Sequence, residues 1–167
     1  VSYLIVCGGG GGGAGCSQAS SGAGAGGFRE LKSPTTPYTA SPLDGYPNAP
    51  NRVTVTAQSY SIVVGGGGTG GSHVPGGLGT AATQGADSSF GGITGAGGAK
   101  GAHGGTCYGY TGGSGSGGNQ GPFTGTGDYY NGPGCAGAGN TPPVTPSQGN
   151  PGGTGYTIYN TPPGNSN

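Results

Sequence analysis

The chain carries very little charge: four basic and four acidic residues among 167, with a formal net charge of zero. A neutral surface exerts no long-range pull on phosphate backbones, which argues against nucleic acid as the main partner. Large apolar side chains are also scarce, since Val, Ile, Leu and Phe together number 19. That is too few to offset the ordering entropy of the chain by side-chain burial. No run approaches the ~20 apolar residues needed to cross a bilayer. Residues 1–7 are too short, and lack the basic flank, to act as a signal peptide. Trp and Met are absent, the latter even from position 1, so a processed product or a piece of a longer polypeptide is expected. No segment has the 3.6-residue periodicity of a helix, and essentially no α-helix is expected.

What the chain does contain is 48 Gly and 14 Pro, a composition at which disorder or fibrous order is normally suspected. Disordered chains, however, usually carry charge, and a low-charge chain is free to pack closely. The expected class is therefore mainly β and irregular, with short strands and packed glycine-rich segments of polyproline-II or polyglycine-II type. We read residues 1–167 as a single glycine-rich domain. Residues 1–64 hold the strands and a Pro-rich loop at 33–50, residues 65–140 a glycine-rich bundle with Tyr-rich loops, and residues 141–167 a Pro/Gly-rich tail.

Three stretches read as strands. Residues 1–7 (VSYLIVC) are apolar on both faces, as in a strand buried on two sides. Residues 52–57 (RVTVTA) alternate, with Val53 and Val55 on one face, and residues 60–64 follow closely enough for a hairpin or a kinked continuous strand. Residues 88–94 (SSFGGIT) form a further short strand anchored by Phe90 and Ile93. The run 8–13 is glycine alone, so it is either a flexible linker or backbone packed too tightly for any side chain.

From Gly92 a period of three appears: Gly92, Gly95, Gly98, Gly101 and Gly104, then Gly109, Gly112, Gly115, Gly118 and Gly121. Three residues per turn is the geometry of a polyproline-II helix, in which every third glycine admits a neighbouring chain. Each run of about 13 residues would span roughly 40 Å at 3.1 Å per residue, with residues 105–108 reversing the direction. The break in phase argues against a collagen triple helix and for a bundle whose backbone hydrogen bonds replace a side-chain core.

Catalytic signals are weak. Gly22, Gly24 and Gly27 match a GxGxxG spacing, but no helix follows to meet a phosphate, and no phosphate-binding loop or GxSxG elbow is present. Glu30, Asp44, Asp87 and Asp128 are scattered and read as solvated or turn carboxylates rather than a glycosidase pair. His73 and His103 are isolated, and His103 with Cys107 would need a helix to ligate one metal. Neither cofactor nor metal is expected, and the chain reads as non-enzymatic. Cys7, Cys16, Cys107 and Cys135 are even in number without a C-x-x-C pair, which favours disulfides over zinc, Cys7 with Cys16 and Cys107 with Cys135 being the local pairing. Free buried thiols are the alternative.

Ten Tyr in so charge-poor a chain is the feature most suggestive of binding. A tyrosine offers a flat apolar ring with a polar tip, suited to sugars or proteins, and equally suited to covering glycine layers. Side chains able to discriminate among ligands gather at Tyr108, Tyr110, Asn119, Gln120, Phe123, Asp128, Tyr129, Tyr130 and Asn131, the candidate contact surface.

The ordered series YLIVCGGGGGG, GAGGFRELKSP, SPLDGYP, RVTVTAQSYSIVVGGGG, SSFGGITGAGG and NTPPVTPSQGNPGGTG resembles the glycine-rich domain of tail fibre and tail-tip proteins of tailed bacteriophages, over nearly the whole chain. The resemblance implies a non-enzymatic part of a host-recognition apparatus, in which polyglycine-II helices support variable loops at a tip. A chain with 19 large aliphatic or Phe residues and a neutral surface gains by burying its sheet faces against copies of itself, so a homo-oligomer is expected, a trimer by analogy with fibres or else a filament. The resemblance implies other tail proteins and a host-surface glycan or protein as partners, and a place in the virion tail. Cys7, Cys16 and the Tyr- and Cys-containing stretch 106–135 depart from the pattern, and specificity is expected to differ there. The competing expectation is a secreted glycine-rich filament subunit, or an ice-binding polyproline-II bundle, for which a regular Thr register is missing.

Overall fold

Strand β1 (Tyr3–Val6) pairs antiparallel with β2 (Phe28–Leu31), placing Tyr3 opposite Leu31 and Val6 opposite Phe28. The computed structural model describes residues 1–15, 20–74, 80–103, 109–118 and 135–155. β1 is buried on one face only: Tyr3 and Ile5 point inward, while Leu4 and Val6 are exposed. The expected two-sided burial is thus corrected, because β1 has a sheet partner but no described residue covers its outer face.

A second sheet has the order β3–β4–β5, with β3 at Ile62–Val63, β4 at Ser88–Phe90 and β5 at Ile93–Gly95, all antiparallel. The single strand expected over 88–94 is in fact a hairpin. Gly91 and Gly92 have φ of 56° and 85°, and positive φ at both central residues makes the tight turn that matches strand twist. Residues 52–57 are not a strand despite their alternation. Val53 is buried, but Val55 is exposed and no strand among the described residues pairs with the segment, because Ile62–Val63 pairs with Ser89 and Phe90 instead. Among the described residues there is no α-helix, and one 3-10 turn spans Ala49–Asn51. The fold is mainly β and irregular.

Tyr3, Ile5, Cys7, Leu31 and Val53 form the apolar cluster between the two sheets, with Tyr46, Phe90 and Ile93 packed against it. Tyr3 meets Phe90 edge to face at 6.2 Å and donates its hydroxyl to Asn51 O at 2.7 Å. This cluster is small, and most of the ordered chain lies outside it.

The remainder is held by backbone. From segment 7–13, the N–H groups of Cys7, Gly10 and Gly13 donate to Gly27, Gly24 and Ser21, and those of Gly8 and Gly11 donate to Ala86 and Thr83. Its carbonyls at Gly9 and Gly12 accept from Gly68 and Gly71, and those at Gly8 and Gly11 from Gly98 and Gly101. Each neighbour is therefore met every third residue. A pleated strand has period two and only two hydrogen-bonding sides, so four neighbours at a three-residue interval identify a polyproline-II-type packing. The neighbours 20–27 and 80–87 run antiparallel to it, and 64–72 and 95–103 run parallel. The same interval joins Ser21, Gly24 and Gly27 to Ala102, Ala99 and Ala96, and Gly115 and Gly118 to Asn150 and Gly153.

The close approach explains the glycines. A Cβ at Gly8, Gly10, Gly11 or Gly13 would lie 2.0–2.1 Å from a carbonyl oxygen of a neighbouring segment, whereas at Gly12 it would meet nothing within 4 Å. The run 8–13 is therefore a packed central segment rather than a linker. Alanine is admitted every third residue in 95–103, where Ala96, Ala99 and Ala102 are buried. The run from Gly109 is not straight as its glycine phase suggests: a bend at 112–114 folds the chain back, so that Ser116 N donates to Tyr110 O at 3.0 Å.

Candidate functional site

The non-glycine motifs converge in one polar network beside the β1–β2 sheet. β2 places Arg29 and Glu30 side by side, both buried. Arg29 spends its guanidinium internally, donating to Thr94 O at 3.1 Å and Asn51 Oδ1 at 2.6 Å. Glu30 accepts from the Ser41 backbone N–H at 3.0 Å and from the Ser41 hydroxyl. Asp44 accepts from the N–H groups of Lys32 and Tyr46, and Gly45 N donates to Glu30 O, so the SPLDGYP loop is clasped onto β2. Residues 140–148 close the network. Asn140, at φ 51°, accepts from Val144 N, Asn51 Nδ2 donates to Thr145 O at 2.7 Å, and the buried Gln148 joins Ala96 N to Pro142 O.

This arrangement assigns structural work to the acidic residues. Glu30 is not solvated as its isolation in sequence suggests, because the Ser41 loop is bonded directly to it. Asp44 is a turn carboxylate as expected, and Asp87 accepts from Gly97 N at 2.8 Å. The GxGxxG glycines are likewise committed, with Gly24 N and Gly27 N donating to Ala99 O and Ala96 O.

Of the expected contact residues, Tyr110 is described, and Tyr108, Asn119, Gln120, Phe123, Asp128, Tyr129, Tyr130 and Asn131 lie outside the described residues. Tyr110 is half-buried, its N–H donates to Ser116 Oγ at 2.8 Å, and Lys100 Nζ sits 4.5 Å from its ring centroid. Lys32 over Tyr38 and Arg52 over Tyr46 repeat the pattern, so three tyrosines hold cations against the scaffold. Cys7 is a buried free thiol rather than half of a bridge to Cys16, and Cys135 is exposed; Cys16 and Cys107 lie outside the described residues.

A second candidate, which sequence reasoning missed, is an open cleft of about 750 Å³ between the 52–61 stretch and the β4–β5 hairpin. Its floor is the Gly91–Gly92 turn, which leaves room for Val53: a Cβ at Gly91 would lie 2.7 Å from Val53 Cγ1. Its wall is shaped by Tyr60, whose hydroxyl accepts from Thr56 N at 2.8 Å and whose ring lies 6.1 Å from Phe90. Those hydrogen bonds, chiefly with the Thr56 side chain and backbone, hold the Tyr60 phenol below its ordinary pKa. Arg52 stands at the rim, with Nε bonded to Tyr46 O at 2.9 Å and its guanidinium stacked 4.5 Å from the Tyr46 ring centroid. The signal in sequence was the alternation of RVTVTA itself, which reads as a paired strand but here belongs to a stretch with no strand partner among the described residues.

No curated protein and no solved structure matches the chain. A family model described as a glycine-rich domain does, and it extends over residues 1–167, taking in both the backbone-bonded glycine segments and the motif network that joins them. The chain belongs to this glycine-rich domain family.

Proposed function

We propose that the chain is a non-enzymatic structural and adhesive module of a phage tail fibre or tail tip, in which the glycine segments are scaffold and the loops make contact with a host surface. The observation that carries this reading is the three-residue interval of backbone bonding around segment 7–13. Such a lattice is uniform and rigid but offers few side chains, so recognition falls to the non-glycine loops it supports. The resemblance of GGFRE, SPLDGYP and NTPPVTP to phage tail sequences supports the setting, a virion tail, and the partners, a host glycan or protein, other tail proteins and further copies of the chain.

Fluorescently labelled chain should decorate some strains of a bacterial panel and, on those strains, compete with adsorption of phage particles carrying it. Replacing both Tyr129 and Tyr130 by Ala should remove decoration while leaving the thermal transition in place. Absence of decoration on every strain, together with filaments in electron micrographs of the purified chain, would instead favour a secreted filament subunit. One feature speaks for that second reading: Ile62 and Val63 of β3 and the adjoining Val64 are exposed, and β3 is an edge strand among the described residues.

A further inference from the structure

The cleft beside Tyr60 has a defined chemistry. Of its twelve lining residues Arg52 is the only charged one, and most of the others carry a hydroxyl or an amide, among them Thr54, Gln58, Ser89 and Thr94. A cleft lined by hydroxyls and one cation suits a saccharide with one negative group on the sugar unit seated there. The two arginines of the described region differ in a telling way. Arg29 has both terminal nitrogens bonded inside the protein, to Thr94 O and Asn51 Oδ1. Arg52 is exposed and is positioned through Nε and through its stack on Tyr46, with no protein hydrogen bond to its terminal nitrogens among the described residues. Its backbone is fixed as well, Arg52 N donating to Ala49 O at 3.0 Å. The result is a pre-oriented guanidinium whose Nε is taken by Tyr46 O and whose end-on edge, the pair of terminal nitrogens, is left to meet a carboxylate in bidentate fashion.

We propose that this cleft binds an acidic saccharide of the uronic-acid class, with the sugar carboxylate on Arg52 and the sugar hydroxyls on the Thr, Ser and Gln side chains of the walls. The inference rests on the adhesive reading above and adds to the tyrosine-rich stretch a second contact with a stated ligand class. No acidic residue lines the cleft to oppose the carboxylate. Pre-orientation of Arg52 lowers the ordering entropy that binding would otherwise cost. Tyr60 adds a hydroxyl already held in place by Thr56, so its orientation is also set before binding.

The test is titration of the isotopically labelled chain with trigalacturonic acid and with its methyl ester, followed through the backbone amide resonances. Saturable shifts confined to residues 52–61 and 89–94, at least about tenfold weaker with the ester or with Arg52→Gln, are the expected result, tenfold being the loss of about 1.4 kcal/mol. Arg52→Lys should recover only part of the loss, since an ammonium keeps the charge but not the fork. Unchanged dispersion of the spectra of both variants shows that folding is intact. Shifts of equal size with acid and ester, shifts outside the cleft, or no shifts at millimolar concentration overturn the proposal. If cells are still decorated after such a failure, the cleft assignment falls and the adhesive reading stands. If trigalacturonic acid fills the cleft and no cell is decorated, the site stands and its adhesive role falls.

Discussion

Gly11 and Gly12 are neighbours of identical chemistry, yet alanine should be tolerated at one and not at the other. At Gly11 the added Cβ would lie 2.0 Å from Thr69 O and 2.3 Å from Thr69 C, both backbone atoms with no rotamer to escape into. At Gly12 it would meet nothing within 4 Å. Relieving the first clash requires segments 7–13 and 64–72 to separate by about 1 Å or more, since a Cβ needs over 3 Å from such an atom. That displacement stretches the bonds from Gly68 N to Gly9 O at 2.8 Å and from Gly71 N to Gly12 O at 2.9 Å beyond useful length, and disturbs that from Gly11 N to Thr83 O at 3.0 Å. Two to three lost bonds at about 1 kcal/mol each, with partial desolvation of their orphaned groups, give about 2–4 kcal/mol. For a chain of this size the midpoint should fall by about 4–16 °C. Gly12→Ala should be neutral or stabilising by up to about 1 kcal/mol, through the restricted unfolded chain. Differential scanning calorimetry of both variants is the assay. Equal midpoints for Gly11→Ala and Gly12→Ala, whether both lowered or both unchanged, would refute the packing argument.

Other outcomes follow from the same contacts. Gln148→Ala should cost about 1–3 kcal/mol in denaturant titration, because it orphans the buried Ala96 N–H, while the exposed Pro142 carbonyl it also releases can turn to water. Burial, partly opposed by Arg29, raises the Tyr3 phenol above its ordinary value of 10.0. Its contribution to stability is therefore complete below pH 10 and lost as pH rises through the folded-state value. Tyr3→Phe should weaken the protein near neutral pH by about 1 kcal/mol while flattening that alkaline loss, as read from thermal midpoints across pH 7–12. Absorbance-monitored titration should find Tyr60 ionising before Tyr3, and Thr56→Val should narrow the gap by removing one of the partners that lower Tyr60.

The class of the fold was legible because it follows from absences: no helical period, few apolar residues and abundant glycine leave only extended chain. The three-residue register was partly legible at Gly98 and Gly101, where the intervening residues differ, and invisible at 8–13, where every residue is glycine and any period fits. Local pattern misled at 52–57, since alternation reports which faces a strand could offer and not whether a partner exists. There the two-residue β3 pairs with Ser89 and Phe90, contacts across 26 and 28 residues of sequence that no local rule ranks. The polar network was hidden for the same reason. Glu30 finds Ser41, and Asn51 finds Thr145, across separations that sequence spacing cannot weigh. The cleft depends on this long-range docking, which is why Arg52 and Tyr60 carried no signal, whereas the tyrosine-rich stretch stood out on composition alone.

Backbone bonds recurring every third residue, rather than a side-chain core, order the described glycine-rich segments of this chain. Scalar couplings transmitted across hydrogen bonds in a ¹³C,¹⁵N-labelled sample test it directly. Couplings are expected from the amides of Gly8, Gly10, Gly11 and Gly13 to the carbonyls of Ala86, Gly24, Thr83 and Ser21, and none from the amides of Gly9 and Gly12 to a carbonyl of the described residues. Couplings that alternate every second residue, or their absence throughout residues 8–13, would contradict it.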